Sequence, residues 1–384
     1  MSIFVMNYSI VNYSRSTLLV LATLFLSFSF AQGELQGEWQ DVERIVAVGD
    51  IHGDYENYIR VLGDAGIVNR RGNWIAEETH FVQLGDLPDR GPDSYKIIEH
   101  MKQLEMQAEK DGGRVHALIG NHEAMNIYGD LRYVHPGEFR ALRSRNARLL
   151  QDELYDGHIA RRMEADSEFR SSDDYRDQFN ALYPLGYVEH RIHWAPDGVL
   201  GSWVVGHNTL IKINRSLFVH GGVAPSMLEL SISEINQQVR TELNGNLPEE
   251  YGLSEKDDGP LWYRGLSSNE EAMEAEHVEK VLETFDVDRI VVGHTPMLGT
   301  IVPRFEGKVL VIDTGISEYY GAQLGSLLIE GDNVIAVQRG EQLEIPEGKE
   351  DLLPFFKSVL ELEPDSSQLR MKVNSLSELD ALDI

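Results

Sequence analysis

The chain has 384 residues, 42% of them hydrophobic, enough to bury one large core or two ordinary ones. Its complete lack of cysteine excludes disulfides, thiolate zinc sites and every thiolate nucleophile. A formal charge of −29 excludes general nucleic-acid binding, because like charges repel, and weighs against anionic membrane surfaces as partners.

At the amino end, Arg15 precedes an apolar stretch over 18–28, and Ser29-Phe30-Ala31 puts small residues where signal peptidase cuts. The pattern predicts an export signal over residues 1–31, cleaved after Ala31, and a periplasmic or secreted product. The apolar run falls short of the ~20 residues that a membrane span needs, so no stable membrane insertion is expected after cleavage; an uncleaved amino-terminal anchor is the rival reading. Residues 32–43 read as a polar linker.

Six short aliphatic runs follow, and each ends abruptly in polar residues. Residues 45–48 run into Gly49-Asp50, 81–84 into Gly85-Asp86, and 115–119 into Gly120-Asn121-His122. Residues 217–219 run into His220, 290–292 into Gly293-His294, and 309–312 into Asp313. Such runs predict buried strands, and polar groups at strand carboxyl ends can converge on one edge of a sheet. Helical patterns over 94–110 and 277–285 alternate with the strands, which argues an α/β fold.

Residues 125–203 carry no buried-strand run and show helical patterning around 138–154. They are expected to form a mostly helical cap, inserted between a first core part over 44–124 and a second over 204–340. Residues 341–384 read as an acidic tail with one amphipathic piece, 352–362, expected to pack on the surface or fray.

The strand ends supply the chemistry. Metal-assisted hydrolysis of a phosphate ester uses two cations about 3.5–4 Å apart, which ionise a water and neutralise the phosphoryl oxygens. Such a pair needs a carboxylate able to bridge both ions, with neutral imidazoles and amide oxygens completing each shell. Asp50 and His52 suit one cation, Asp86 suits the bridge, and Asn121, His220 and His294 suit the second. Mixed oxygen and nitrogen donors favour Mn, Fe or Zn over Ca or Mg. Each of these residues alone reads as turn chemistry or a satisfied structural group. Six of them at strand ends, in repeated Gly-Asp, Gly-Asn-His and Gly-His contexts, do not.

His122, beside Asn121, is then free to act as the general acid on the leaving oxygen. Asp89, three residues beyond Asp86, is the candidate carboxylate to orient its ring and raise its pKa. Arg90 suits bidentate binding of the substrate phosphate, and Arg264 in GPLWYRG is the candidate for a second arm. His207 in Val205-Gly206-His207 imitates a metal-binding Gly-His, but is expected to be a loop residue or a supporting group. The arginines of the cap (Arg132, Arg140, Arg143, Arg145, Arg148, Arg161 and Arg162) read mostly as a solvated face able to steer acidic phosphopeptides.

The segments GDIHG, GDLPDRG, GNHE, VHGG and VGHT resemble the calcineurin-like metallophosphoesterases, and within them the PPP-type phosphoprotein phosphatases. The motifs stand in the family's order over residues 46–336. The resemblance implies a metallophosphoesterase fold, a central β-sandwich of mixed sheets flanked by helices. It implies Asp50, His52 and Asp86 on one metal, and Asp86, Asn121, His220 and His294 on the other. It also implies His122 as acid with Asp89 as its partner, and Arg90 and Arg264 on the phosphate.

The chain departs from the eukaryotic serine/threonine enzymes, whose late segment brings a tyrosine near the metals. Val311-Ile312-Asp313-Thr314-Gly315 stands in its place. With AMNIYGDLRYV after GNHE, VGHTP and the export signal, the chain is similar to the bacterial-type Shewanella-like phosphatases. That group includes enzymes for phosphotyrosine and others for phosphoserine or phosphothreonine. The expected substrate is a phosphorylated protein or peptide, with a tilt toward phosphotyrosine, attacked directly by metal-bound hydroxide without a phospho-enzyme. Glu123 and Gly222 argue against a small-metabolite reading such as diadenosine polyphosphate hydrolysis, whose enzymes resemble GNHD and HAG instead. Retention of every ligand and of His122 argues against a catalytically dead binding fold.

Overall fold

A computed structural model describes residues 35–245, 252–363 and 365–380 of the chain. The expected export signal and its cleavage site lie outside the described residues. The strands in chain order are β1 (Glu38–Trp39), β2 (Arg44–Val48), β3 (His80–Gln83), β4 (Arg114–Ala117), β5 (Leu210–Ile213) and β6 (Ser216–Val219). After them come β7 (Arg289–Val292), β8 (Val302–Arg304), β9 (Val309–Val311), β10 (Gly325–Glu330), β11 (Asn333–Gln338) and β12 (Glu341–Glu344).

These strands form two mixed six-stranded sheets, ordered β1-β5-β6-β7-β9-β8 and β12-β11-β10-β2-β3-β4. In one sheet β2, β3 and β4 run parallel, and in the other so do β6, β7 and β9. These six are the runs that emit polar residues in the sequence. Parallel neighbours end on the same edge, so each triplet delivers its loops to one place.

The period of two along a strand explains how the layers meet. Ile45 and Ala47 of β2 share a core with Leu217, Val219, Ile290, Val292 and Leu310 of the other sheet. Val46 and Val48 lie in a second core with Tyr58 and Val61 of helix α1 (Tyr55–Asp64) and with Ile97, Met101 and Leu104 of α2 (Ser94–Lys110). Each such buried aliphatic side chain contributes about 1.5–3 kcal/mol. The fold is α/β, with two mixed sheets flanked by helices.

Between β4 and β5 the described chain is helical and contains no strand: α3 (Asn121–Tyr128), α4 (Pro136–Leu142), α5 (Ala147–Ala165), α6 (Asp173–Leu182), α7 (Tyr187–Trp194) and α8 (Gly201–Val204). The single helical pattern expected around 138–154 is broken at 143–146. There the backbone N–H and hydroxyl of Ser144 donate to Glu189 Oε1 at 3.0 and 2.6 Å, which pins the break to α7. Next come α9 (Ile232–Leu243), α10 (Gly265–Ser268) and α11 (Glu271–Phe285).

The segment expected as an acidic tail packs instead of fraying. β12 extends the second sheet beside β11. Phe355, Phe356 and Val359 of α12 (Leu352–Leu362) and Leu369 and Val373 of α13 (Ser367–Asp380) enter the inter-sheet core. Glu363 accepts from Gln338 at 2.8 Å and Arg339 at 2.7 Å, so an acid of the tail is satisfied inside the fold. Charge composition hid this, because the apolar residues occupy only one face of α12. Among the described residues no helix is long and apolar enough to cross a membrane.

Candidate metal centre and active site

Two backbone devices bring the loops together. Gly49 passes so close to Ile312 that a Cβ there would lie 2.6 Å from the Ile312 carbonyl oxygen, and this contact joins the two parallel triplets. His52, Asp86, Asp89, Arg90 and His294 all adopt left-handed φ, between 49° and 72°. Each such non-glycine residue costs on the order of 1–3 kcal/mol, and such strain persists where its surroundings hold it, often at functional sites. The Ile51 and His52 N–H groups both donate to the Asp86 carbonyl at 3.0 Å, and the Gly53 N–H donates to Leu87 at 2.8 Å.

Asp86 stands at the centre, buried. Its Oδ2 lies 3.9 Å from His52 Nε2 and 3.8 Å from His122 Nε2, and its Oδ1 lies 3.3 Å from His220 Nε2. Two sets of donor atoms, each within 4.8 Å of one another, share this carboxylate: His52, Asp86 and His122, and Asp86, His220 and His294. Asp50 Oδ2 is 3.8 Å from His52 Nε2, and Asn121 Oδ1 is 2.9 Å from His220 Nε2. All six residues expected as ligands therefore meet in one place.

The donors fit a cation. His220 Nδ1 pairs with the Leu84 carbonyl at 2.7 Å, and His52 Nδ1 with the Pro88 carbonyl at 3.2 Å. Donation through Nδ1 leaves each Nε2 with a lone pair turned into the site, as in metal-ligating histidines. The Nε2 of His220 then faces the oxygens of Asn121 and Asp86, three lone pairs converging on one point. His294 Nε2 is buried without a hydrogen-bond partner, in a structure where such atoms are few.

Charge points the same way. Burial lowers the pKa of His52 to about 3, with nearby His122 adding to the effect, and burial with His220 lowers His294 well below the usual imidazole value. Burial, Asp313 and Asp86 push Asp50 well above the carboxylate range, and burial pushes Asp313 up to about 6. Neutral imidazoles beside crowded buried carboxylates are a donor set suited to divalent metal ions.

His122 is placed differently from the ligands. Its Nδ1 is 2.6 Å from Asp89 Oδ2, and its backbone N–H donates to Asp86 Oδ1 at 2.9 Å. Burial opposes its charge, but Asp86 and the Asp89 hydrogen bond outweigh burial and raise its pKa. Asp89 is itself fixed, with Oδ1 accepting from Asn126 at 3.0 Å and its backbone N–H donating to Glu138 of α4 at 3.1 Å.

Arg90 lies at the rim, its guanidinium 3.9 Å from the Tyr133 ring centre and 4.8 Å from that of Tyr319, with Nη1 donating to the Tyr319 hydroxyl at 3.2 Å. Arg264 Nη1 donates to the His294 carbonyl at 2.7 Å and to Thr295 at 2.9 Å, which sets it beside the second donor set. His207 is absent from the site; it bonds the Trp203 carbonyl at 2.6 Å and Glu105 at 2.9 Å. Arg132 is paired with Asp130 and lies 5.8 Å from the Tyr133 ring centre.

Several contributors escaped sequence reasoning. Glu123 accepts from Gly120 and Asp86 at 2.9 Å and from Leu87 at 2.8 Å, tying two ligand loops together. Asp313, beside Asp50, was visible as the end of the sixth apolar run but had no role assigned. A tyrosine does approach the centre despite the replaced late segment: the ring of Tyr320 is 5.1 Å from that of His52.

Residues 43–298 match the family model described as calcineurin-like phosphoesterase. An uncharacterized protein of Schizosaccharomyces pombe is 34% identical over 78% of this chain and 82% of its own length. Shewanella-like protein phosphatase 2 of Arabidopsis thaliana is 29% identical over 74% of each chain. The crystal structure of a cold-active protein-tyrosine phosphatase from a psychrophilic Shewanella species matches with a TM-score of 0.61 and 30% identity, over 81% of this chain and 82% of that one. The chain belongs to the calcineurin-like phosphoesterase family and is a metal-dependent phosphatase.

Proposed function

We infer that the enzyme hydrolyses phosphomonoesters on proteins or peptides, with a preference for phosphotyrosine, after export from the cytoplasm. The observation that carries this reading is the His122–Asp89 pair at 2.6 Å, aimed across Asp86 and flanked by Arg90. Export rests on the amino-terminal signal pattern with cleavage after Ala31.

Asp50, His52 and Asp86 would hold one cation, and Asp86, Asn121, His220 and His294 a second, with Mn, Fe or Zn suited to these donors. Bound there, such cations supply neutralisation of phosphoryl charge and a water ionised at neutral pH. Arg90 and Arg264 orient the phosphate through planar, paired hydrogen bonds. His122 donates the Nε2 proton to the leaving oxygen, while Asp89 keeps the Nδ1 proton in place and stabilises the charged ring. The lack of cysteine excludes a cysteinyl-phosphate intermediate, and direct attack of water on phosphorus is the route that the paired donor sets support.

The tilt to phosphotyrosine draws on two supports. Tyr133 and Tyr319 give Arg90 aromatic walls on which an aryl ring can pack. The Shewanella structure, similar over most of the chain, is a protein-tyrosine phosphatase. Turnover on phosphotyrosine, phosphoserine and phosphothreonine in one peptide frame, and on a dinucleotide polyphosphate, tests both parts. A higher kcat/KM on phosphoserine or phosphothreonine would sink the preference, and a higher value on the dinucleotide would sink the phosphoprotein reading.

A further inference from the structure

On the helical segment between β4 and β5 lies an open cavity of about 380 Å³ that the chemistry above does not use. Arg140 of α4, Arg143 just after it and Arg148 in the first turn of α5 line it. All three side chains are exposed, in a chain of net charge −29. No ion pair within 4.0 Å is formed by any of them among the described residues. Glu189 is near enough to feel Arg143, but its Oε1 is occupied by Ser144.

Helix energetics accounts for part of this charge only: Arg140 in the last turn of α4 and Arg143 at its carboxyl cap sit where the helix dipole favours a cation. Arg148, by contrast, sits at the amino end of α5, where the helix dipole disfavours a cation, and the first turn holds no acid to offset it. The three arginines also repel one another. An anionic partner would relieve both costs.

The rest of the wall narrows the chemistry. Phe139 and Leu185 supply apolar surface beside the arginines. The apolar wall gives an inorganic anion nothing to pack against. A peptide segment with carboxylates and an aliphatic side chain matches both parts of the wall: its carboxylates reach the arginines and its aliphatic group packs on Phe139 and Leu185.

α4 also connects this cavity to the active site. Glu138, on another face of that helix, accepts from the Asp89 N–H at 3.1 Å, and the Tyr133 carbonyl just before it accepts from the Arg90 N–H at 3.0 Å. A Cβ on Gly137 would lie 2.4 Å from Pro92 Cβ, so the helix is seated directly on the GDLPDRG loop.

We propose that this cavity on α4 and α5 is a docking site for an acidic segment of the substrate protein, away from the phosphorylated residue. The proposal rests on the phosphoprotein reading for its biological sense, but its binding step is measurable without turnover. Arg140 and Arg148 carry the recognition, and Phe139 seats an aliphatic side chain between the carboxylates.

Fluorescence anisotropy of a labelled, unphosphorylated peptide rich in Asp and Glu around one Leu, on the metal-loaded full chain, tests it. The Arg140→Ala, Arg148→Ala double variant should weaken the Kd about tenfold or more, and raising the salt should weaken the wild type similarly. Arg148→Lys, paired with wild-type Arg140, should recover part of the loss. Thermal melting checks that the variants are folded. Equal binding by wild type and double variant, or binding of inorganic phosphate in place of the peptide, overturns the proposal. An acidic flank on a phosphopeptide should lower KM with little change in kcat, and only where the arginines are intact. If no phosphopeptide is hydrolysed at all, the phosphoprotein reading falls, while the anisotropy result still judges the cavity.

Discussion

His122 Nδ1 lies 2.6 Å from Asp89 Oδ2, and this contact adds to the charge of Asp86 in favouring the protonated form of the candidate acid. Burial alone would lower the imidazole pKa; Asp86 and Asp89 reverse the sign and raise it. The protonated form is the active one for leaving-group protonation, so activity should hold below the raised pKa and fall as pH rises through it. The alkaline limb of kcat for alkyl phosphates is therefore expected above pH ~6.5, the unperturbed imidazole value. Asp89→Asn should move that limb to lower pH. A limb that does not move would remove Asp89 from the acid's environment.

His122→Asn should bind metal normally yet lose about 10²–10⁴-fold in kcat, the usual worth of general acid catalysis. The loss should be steepest for poor leaving groups such as alkyl phosphates and shallowest for nitrophenyl phosphate. A uniform loss across leaving groups would assign His122 to another task.

Asp86 faces both donor sets, with Oδ2 toward His52 and His122 and Oδ1 toward His220. Asp86→Asn should lower both metal content and turnover, since a neutral amide cannot compensate two cations. Chelation of the wild type should abolish hydrolysis, and re-addition of Mn, Fe or Zn should restore it. A variant with full metal content by elemental analysis would reject Asp86 as the bridge.

Glu123 accepts three buried N–H groups, from Gly120, Asp86 and Leu87. Removing it strands all three, at a cost of ~1–3 kcal/mol for each donor left unsatisfied. Glu123→Ala is expected to lower the melting temperature by several degrees and to weaken metal binding, although Glu123 itself is outside both donor sets. Unchanged melting would mean that water replaces the carboxylate.

Tyr319 is 61% exposed yet holds the Arg90 guanidinium by a hydrogen bond and a ring contact. A cation over an exposed aromatic ring contributes about 0.5–1 kcal/mol. Tyr319→Ala should raise KM for phosphotyrosine peptides several-fold, with a smaller effect on phosphoserine peptides. Equal effects on both would separate Tyr319 from substrate choice.

The sequence alone determined which candidate donors stand at the strand ends, and the reason is physical. Metal chemistry admits few side-chain types, and parallel strands present their loops on one edge, so Asp50, Asp86, Asn121, His220 and His294 are legible as strand endings. The six apolar runs likewise read as strands because burial on both faces demands near-continuous aliphatic residues. Tertiary structure decided what those residues meet. Tyr319 lies 229 positions from Arg90 and no local pattern joins them. Glu123 and Asp313 acquire their partners only when loops from two sheets close together. The C-terminal helices enter the core through one apolar face that net charge conceals. The arginines of α4 and α5 looked like a solvated face in sequence, and only the break at 143–146 gathers three of them around one cavity. Composition and periodicity report what a residue can do, while contact across long separations depends on how the two sheets and the helical segment pack.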